Sequence, residues 1–492
     1  MSQINIANLT FAYDGSYENI FEGVSFRLDT DWKLGFIGRN GRGKTTFLKL
    51  LMGRYEYSGS ISADVDFEYF PYDVPNMEET AMDVIMAIAP GIENWRLLRE
   101  MNVLEVDGDT LYRPFSTLSN GERTKLLLAA LFLRENSFLL IDEPTNHLDM
   151  AARELVSRYL STKKGFILVS HDRRFLDGCV DHVLSINRAD IEVQKGNFST
   201  WQRNAELRDS FELAENEKLK KDVKRLEAAA RQASGWSDAV EKTKCGTKNS
   251  GLRPDRGFIG HKSAKMMKRS KTLENRREAA LEEKSALLKN LEAAESLKLS
   301  PLPYHADCLA ELSDVSVSYG GRQVCGGVSF DIRRCDAVAL CGKNGSGKTS
   351  ILKLVCGEDI EHSGTVHTGS GLVISCVPQD ASGLRGSLRD YAARYGVDES
   401  LFLAILRKLG FPRAQFEKDI ADFSAGQKKK AMLARSLCER AHLYVWDEPL
   451  NYIDVISRMQ IEDLLKEYRP TLLFIEHDKS FVESIASKVV EL

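Results

Sequence analysis

The constraint that dominates this chain is that it is written twice. The step from Lys44 to Lys348 is 304 residues; from Ser119 to Ser424 and from Glu143 to Glu448 it is 305; from His171 to His477 it is 306. Chance matches do not keep register in this way, so so small a drift means one fold duplicated almost without insertion. A chain of 492 residues has room for two such cores and something between them. The organisation that follows is a first domain over 1–199, a second over 306–492, and a segment over 200–305 that belongs to neither copy.

Each copy carries the same chemistry in the same order. In the first, Trp32–Ile37 reads as a strand and Phe47–Met52 as a helix, with Gly38-Arg39-Asn40-Gly41-Arg42-Gly43-Lys44-Thr45-Thr46 between them. Strand, G-x-x-x-x-G-K-T and helix, in that order, form a phosphate-binding loop in its required context. The glycines let backbone N–H groups wrap phosphates, and the helix N-terminus adds partial positive charge. Lys44 then reaches the β- and γ-phosphates of ATP, and the Thr45 hydroxyl is placed to ligate Mg²⁺. Further on, the apolar run Phe138–Ile141 ends in Asp142 and Glu143. Acids at a strand end can simply cap a helix, but a phosphate loop upstream in the same domain makes Asp142 a metal ligand and Glu143 the group that polarises water. His171 follows another apolar strand and takes its meaning from this ensemble. The second copy repeats the set as Gly342, Asn344, Gly345, Gly347, Lys348, Thr349 and Ser350, then Asp447, Glu448 and His477.

The intervening segment differs in kind. Phe211, Leu219, Val223, Leu226 and Ala230 fall at helical spacing within Trp201–Ser234, and Leu273, Ala280, Leu287 and Leu291 do so within Ser263–Leu297. Two amphipathic helices joined by a loop predict an antiparallel α-helical hairpin, with arms of about 35 residues reaching on the order of 50 Å. Its tip, about 236–271, is rich in glycine and strongly basic. Between Lys242 and Arg277 there are twelve cations against Asp255 and Glu274, a local charge of +10 in a chain of net charge −4. A mixed charge run is ordinarily a solvated helix face, but an excess this one-sided calls for an anionic partner, and RNA phosphates would release counterions on binding it. The candidate RNA contacts are Lys242, Lys244, Lys248, Arg253, Arg256, Phe258, Lys262, Lys265, Met266, Lys268, Arg269 and Lys271. Trp236 and Phe258 can stack on bases, and Met266 and Met267 can enter an apolar crevice; each can equally be a contact between helices.

Other classes are excluded or disfavoured. No apolar run approaches the ~18 residues of a membrane span, and the opening MSQINIANLTF lacks the pattern of a secretory signal. Nine cysteines, an odd number without metal-ligand or redox spacing, read as small buried hydrophobes in a reducing cytosol.

The phosphate loops, the LSNGE and FSAGQ stretches beginning at Leu118 and Phe423, the DEPTNHLD run ending at Asp149 and the strand-end histidines resemble ATP-binding-cassette ATPase domains. The resemblance implies two α/β P-loop domains that bind ATP between the loop of one and the signature of the other. It implies that Tyr13 and Tyr319 stack on adenine, and that Ser119 and Gly121, or Ser424 and Gly426, bind the γ-phosphate of the opposite domain's ATP. It also implies a glutamine at the metal and attacking water, which is Gln379 in the second copy and Tyr72 in the first. A phenol cannot supply an amide carbonyl. The first site would thus combine Lys44, Tyr72, Glu143 and His171 with Ser424 and Gly426, and the second Lys348, Gln379, Glu448 and His477 with Ser119 and Gly121. Twin cassettes, a long linker and no membrane segment look like the ABC-F family. With 47 residues from Tyr72 to Ser119 and 45 from Gln379 to Ser424, the first copy lacks an inserted arm. KLGFIGRNGRGKTT and GFIGHKSAKMMKRSK resemble the antibiotic-resistance branch of the Lsa and Vga kind. That resemblance implies a cytoplasmic monomer whose partner is the 70S ribosome. It would enter the tRNA exit (E) site, displace P-site tRNA and bring its tip to 23S rRNA near the peptidyl-transferase centre, dislodging lincosamides, streptogramin A or pleuromutilins. A housekeeping translation factor and a transporter ATPase subunit are the rival readings.

Overall fold

The computed structural model describes residues 2–13, 19–146, 148–186, 191–242, 298–320, 322–411 and 415–492, with individual positions between 261 and 279. The first repeat contributes strands β1 (Gln3–Phe11), β2 (Phe21–Asp29), β3 (Lys33–Gly38), β4 (Ser58–Ser62), β5 (Asp66–Phe70), β6 (Ser137–Asp142), β7 (Phe166–Val169), β8 (His182–Ile186) and β9 (Ile191–Lys195). They form an antiparallel sheet ordered β2-β1-β4 and a second sheet ordered β5-β6-β7-β3-β8-β9, parallel except for β8 against β9. The second repeat contributes β10 (Cys308–Tyr319), β11 (Arg322–Arg333), β12 (Ala337–Cys341), β13 (His362–Thr368), β14 (Ile374–Val377), β15 (Leu443–Asp447), β16 (Leu472–Ile475) and β17 (Lys488–Glu491). Its sheets run β11-β10-β13 and β14-β15-β16-β12-β17. Apart from β9, which has no counterpart among the described strands of the second repeat, the two topologies match strand for strand, so the duplication read in the sequence is a duplication of fold.

The parallel strands are apolar without alternation because both faces of the sheet are covered, one of them by the antiparallel sheet together with the helix after the phosphate loop. Phe166–Val169 and Leu472–Ile475 are buried at every position. Strand β1 instead alternates, burying Ile4, Ile6, Leu9 and Phe11. The step of three between Ile6 and Leu9 is a bulge, with Asn8 at φ 50°, and β10 repeats it between Leu312 and Val315, with Asp314 at φ 51°. The neighbouring strand accommodates each bulge with glycine. A Cβ on Gly59 would lie 2.5 Å from the Asn8 carbonyl oxygen, and one on Gly364 2.3 Å from that of Asp314. Between the two sheets of the first repeat, Phe11, Phe36, Phe47, Leu140 and Ile167 form one core, and Leu312, Val317, Leu340, Ile351 and Leu473 form its counterpart. Full burial of a side chain such as Phe47 contributes about 1.5–3 kcal/mol. The cysteines divide: Cys179, Cys325 and Cys341 are buried as expected, whereas Cys308 and Cys335 are exposed.

The chain separates into one compact unit holding both repeats, Met1–Ser199 with Ala294–Leu492, and a second, Thr200–Ala293. Leu299 and Tyr304, within the stretch assigned from sequence to the linker, are buried in the cores of the second repeat. In the second unit one helix runs Phe198–Lys242. It continues past Ser234 through Gly235 and Trp236, into residues expected to belong to the tip. A lone glycine costs a helix only about 1 kcal/mol, and the first proline beyond it is Pro254. On that helix Leu207 and Phe211 are exposed. Described positions from His261 to Ala279 are also helical. Leu273, Ala280, Leu287 and Leu291, the stripe expected on the return arm, lie outside the described residues. No helix among the described residues is long and apolar enough to cross a membrane.

Candidate functional site

Each phosphate loop leaves its strand through glycines in conformations closed to other residues. Gly38, Gly41 and Gly43 have φ of 154°, 82° and 93°, and Gly342, Gly345 and Gly347 repeat them at 147°, 81° and 89°. Space is as limiting as φ: a Cβ on Gly43 would lie 2.5 Å from Ile20 Cγ2. Gly43 and Gly347 are the N-caps of helices Lys44–Leu51 and Lys348–Val355, without a side-chain cap, so the first-turn N–H groups face the loop. Lys44 Nζ donates to the carbonyls of Gly38 (2.6 Å) and Arg39 (3.2 Å) and to Asn40 Oδ1 (3.4 Å); Lys348 Nζ donates to those of Gly342 (3.0 Å) and Lys343 (2.7 Å). Burial pushes both ammonium groups down, while Asp454 and Glu143 act to raise the first and Glu448 and Asp149 the second.

The metal candidates meet in pairs. Thr45 Oγ1 donates to Asp142 Oδ2 at 2.9 Å, and Thr349 Oγ1 to Asp447 Oδ2 at 2.8 Å. Asp447 Oδ1 is buried without a hydrogen-bond partner, which fits a hard cation that takes oxygen ligands. Burial pushes both aspartate carboxyls up.

The two glutamates follow their strand ends at φ 52° and 46° and sit in unlike surroundings. His477 Nε2 and Glu448 Oε1 are hydrogen-bonded at 3.2 Å, Asn451 Nδ2 donates to Glu448 Oε2 at 2.6 Å, and the Gln379 amide reaches the same carboxylate. Burial alone would push Glu448 up; the His477 hydrogen bond and charge, with Gln379 and Lys429, overcome it and hold it down to about 2. In the first repeat His171 Nε2 lies 3.1 Å from Glu143 Oε1, off the line of a hydrogen bond, so that this oxygen is buried and unpartnered. Burial first, then the Asp142 charge, pushes Glu143 up to about 8, and burial with the charge of Lys44 drives His171 well below its ordinary value.

Loops and signatures come together across the repeats. A cleft of about 1190 Å³ is lined by Asn344, Gly345, Gly347, Lys348, Thr349, Ser350, Gln379, Glu448 and His477, and on its other side by Ser119 and Gly121. A smaller one of about 560 Å³ is lined by Tyr13, Asn40, Gly41, Gly43, Lys44, Thr45, Thr46, Asp142, Glu143 and His171, and by Ser424 and Gly426. Ser119 and Ser424 are N-caps of the helices Asn120–Phe132 and Ala425–Cys438, each in a capping box, with Glu122 and Gln427. The repeats touch directly: Asn40 Nδ2 donates to the Tyr452 carbonyl at 2.7 Å, and the Asn40 N–H to Asp454 Oδ2 at 3.4 Å.

Tyr13 and Tyr319 are half-exposed, their hydroxyls bonded to Thr46 (2.8 Å) and Ser350 (3.0 Å). Of the two, Tyr13 lines its cleft and Tyr319 does not. Strand register pairs Phe70 with Ile141 and Val377 with Trp446, so Tyr72 does occupy the position of Gln379. It does not line the smaller cleft. Tyr69 instead donates to Asp142 Oδ2 at 2.9 Å, its own hydroxyl pushed up by burial and by that charge. Sequence reading passed over Tyr69, Lys429, Lys430 and Asn451. The available signal was three successive lysines, Lys428–Lys430, on a helix otherwise buried. Of the linker candidates, Lys242 ends its helix, and Lys265, Lys268 and Lys271 are exposed on helical backbone. Lys244, Lys248, Arg253, Arg256, Phe258, Lys262, Met266 and Arg269 lie outside the described residues.

Comparison with known proteins bears on this architecture. The family model described as ABC transporter matches residues 21–146 and 325–451, the loop-to-acid core of each repeat and about half of the chain. The chain belongs to the ATP-binding-cassette family. It is an ATPase, with two cassettes. Over 487 residues it is 27% identical to the ribosome protection protein VmlR of Bacillus subtilis, covering 97% of this chain and 85% of that one. It is 27% identical to the ATP-binding protein Uup of Caulobacter vibrioides, covering 96% of this chain and 74% of that one. To the energy-dependent translational throttle protein EttA of Escherichia coli it is 24% identical, covering 96% and 89%. Among solved structures, the archaeal ribosome recycling factor aABCE1 in complex with the stalk protein aP1 matches with a TM-score of 0.63 at 17% identity, covering 98% of this chain and 87% of that one. At that identity the likeness is one of fold, the tandem-cassette arrangement.

Proposed function

We propose that this chain is an ABC-F ATPase of the ribosome-protection kind. The observation that carries the proposal is the end-to-end similarity to a ribosome protection protein, across 97% of this chain, linker included. The +10 stretch between Lys242 and Arg277 suits a partner of dense phosphate, since neutralising phosphates releases counterions. In this reading the partner is the 70S ribosome in the cytoplasm and the protein acts as a monomer. It enters the E site, displaces P-site tRNA and sets its tip against 23S rRNA near the peptidyl-transferase centre, where lincosamides, streptogramin A or pleuromutilins are dislodged.

The cassettes supply the drive. ATP held by Lys44 and its loop is closed over by Ser424 and Gly426, and ATP held by Lys348 by Ser119 and Gly121. Because each nucleotide bridges two halves, it favours the closed arrangement by its differential affinity for it. Thr45 with Asp142, and Thr349 with Asp447 and Gln379, would hold Mg²⁺, which would supply neutralisation of the triphosphate's charge. Glu448, ionised and held by His477, orients and deprotonates the attacking water at the second site; Glu143 beside His171 is its counterpart at the first, less ionised near neutral pH because its carboxyl is pushed up. Hydrolysis removes the bridge and resets the protein.

The similarity to the throttle protein over 96% of the chain favours a second reading, a housekeeping factor acting on translating ribosomes. Expression in a drug-sensitive bacterium separates the two. Protection raises the inhibitory concentration of at least one of the three drug classes, and the Glu143→Gln/Glu448→Gln variant does not. Altered growth with unchanged susceptibility to all three would overturn the protection reading.

A further inference from the structure

We propose that Lys429 is a positioning residue for the second ATP site, clamping the loop that carries Gln379 to the strand end that carries Asp447 and Glu448. Lys429 lies on the helix that follows the second signature and is only 3% exposed. Its Nζ donates to the carbonyls of Pro378 at 2.9 Å, Gln379 at 3.3 Å and Asp447 at 2.8 Å. An ammonium has three donors, and all three are used on two segments of chain. Strands β14 and β15 pair as far as Val377 and Trp446. The Pro378 and Gln379 carbonyls therefore lie just beyond the end of β14, where the sheet no longer fixes the backbone, whereas Asp447 is still paired with Ile475 of β16; Lys429 ties the free segment to the fixed one.

The two segments so joined carry the second site's working groups. Gln379 reaches Glu448 through its amide, and Asp447 accepts from Thr349 of the phosphate loop. The buried ammonium also places positive charge beside Asp447, Glu476 and Glu448. Cassette 1 supplies the internal comparison. The 305-residue offset puts Thr124 at the place of Lys429, and strand register puts Tyr72 at the place of Gln379. Clamp and glutamine occur together in the second cassette and are absent together from the first. Lys429 borders the larger cleft, but all three of its donors are spent on backbone carbonyls, so it acts on the chemistry through Gln379 and the Asp447–Glu448 turn.

The test is a double-mutant cycle in the Glu143→Gln background, where turnover reports the second site. Lys429→Met keeps the length of the side chain and removes donors and charge. It is expected to lower kcat on the order of 10²-fold, the scale of a displaced catalytic group, with KM for ATP changed by about twofold or less. Gln379→Ala is expected to lower kcat comparably, and the two together by little more than either alone, because they act as one unit. Lys429→Gln retains two N–H donors at shorter reach and is expected to fall between wild type and Lys429→Met. If Lys429→Met does not fold, Lys429→Gln carries the same cycle with Gln379→Ala. Losses that multiply in the double variant, or track a fall in Tm shared with Gln379→Ala variants lacking the clamp, would assign Lys429 to bulk stability and overturn the proposal. An unchanged kcat in Lys429→Met would do the same.

Discussion

Replacing Asp454 by asparagine perturbs the join between the cassettes at a single atom pair. Asp454 is fully buried, and Oδ2 accepts from Lys430 Nζ at 3.0 Å and from the Asn40 N–H of the first phosphate loop at 3.4 Å. Oδ1 caps the helix Val455–Tyr468 through the Ser457 N–H at 2.9 Å. Asparagine retains the cap, and Lys430 keeps the Leu409 carbonyl at 2.6 Å, so what is lost is the counter-charge of a cation that is 3% exposed. Removing one partner of a buried pair costs about 3–5 kcal/mol, and each kcal/mol lowers Tm by roughly 2–4 °C in domains of this size. The matched control is Asp149→Asn. Asp149 caps its helix through the Ala152 N–H at 2.9 Å and has no ion pair among the described residues, so its loss should stay within about 0.5 kcal/mol. Thermal unfolding of the two variants and the wild type measures this difference. The first phosphate-site lysine adds a second readout. Lys430 and Lys44 line the same cleft, and without Asp454 a bound triphosphate takes over the counter-charge that Asp454 gave both, so ATP should raise Tm more in Asp454→Asn than in wild type. Burial pushes the Asp454 carboxyl up, but Lys430, the Ser457 N–H, His171 and Lys44 more than reverse it, leaving it well below the carboxylate range. A depressed carboxyl stabilises fully above its unfolded value near 4 and loses that contribution as pH falls through the folded value. The gap between variant and wild type should therefore be constant from neutral pH to about 5 and close only in acid. Equal losses for Asp149→Asn and Asp454→Asn would refute the reasoning.

Two further outcomes follow from the unlike halves. Glu448 has three side chains on its carboxylate while Glu143 has an unpartnered oxygen, so Glu448→Gln should remove the larger share of steady-state ATP turnover and Glu143→Gln the smaller; equal losses would contradict the asymmetry. Reversing Lys265, Lys268 and Lys271 to glutamate should weaken ribosome binding and flatten the slope of log affinity against log salt by roughly 2–3, and an unchanged slope would remove these residues from the interface.

What could be read from the chain was what is local or repeated. The glycines at 38, 41 and 43 mark backbone that no other residue adopts, and the offset to 342, 345 and 347 proves they are not accidental. The buried strands were legible as unbroken apolar runs. Groups that become functional only through tertiary placement were not legible. Lys429 and Lys430 look like any solvated charge run until the helix is packed against two strand ends. Tyr69 and Tyr72 differ by three positions, and only the strand register decides that the first faces Asp142. The bulge at Asn8 looks like a slip in alternation until Gly59 is set beside it. The first arm was expected to give way to the tip after Ser234, yet the helix runs on through Gly235 to Lys242.

The central claim is that ATP-bound cassettes place the basic linker against ribosomal RNA. The most direct measurement is co-sedimentation of the Glu143→Gln/Glu448→Gln variant with purified 70S ribosomes, with and without ATP, across a range of salt. Stable binding that requires ATP and falls steeply with salt is the expected result. Absence of binding, with ATP affinity intact, would contradict the claim and turn the search toward a membrane or other partner.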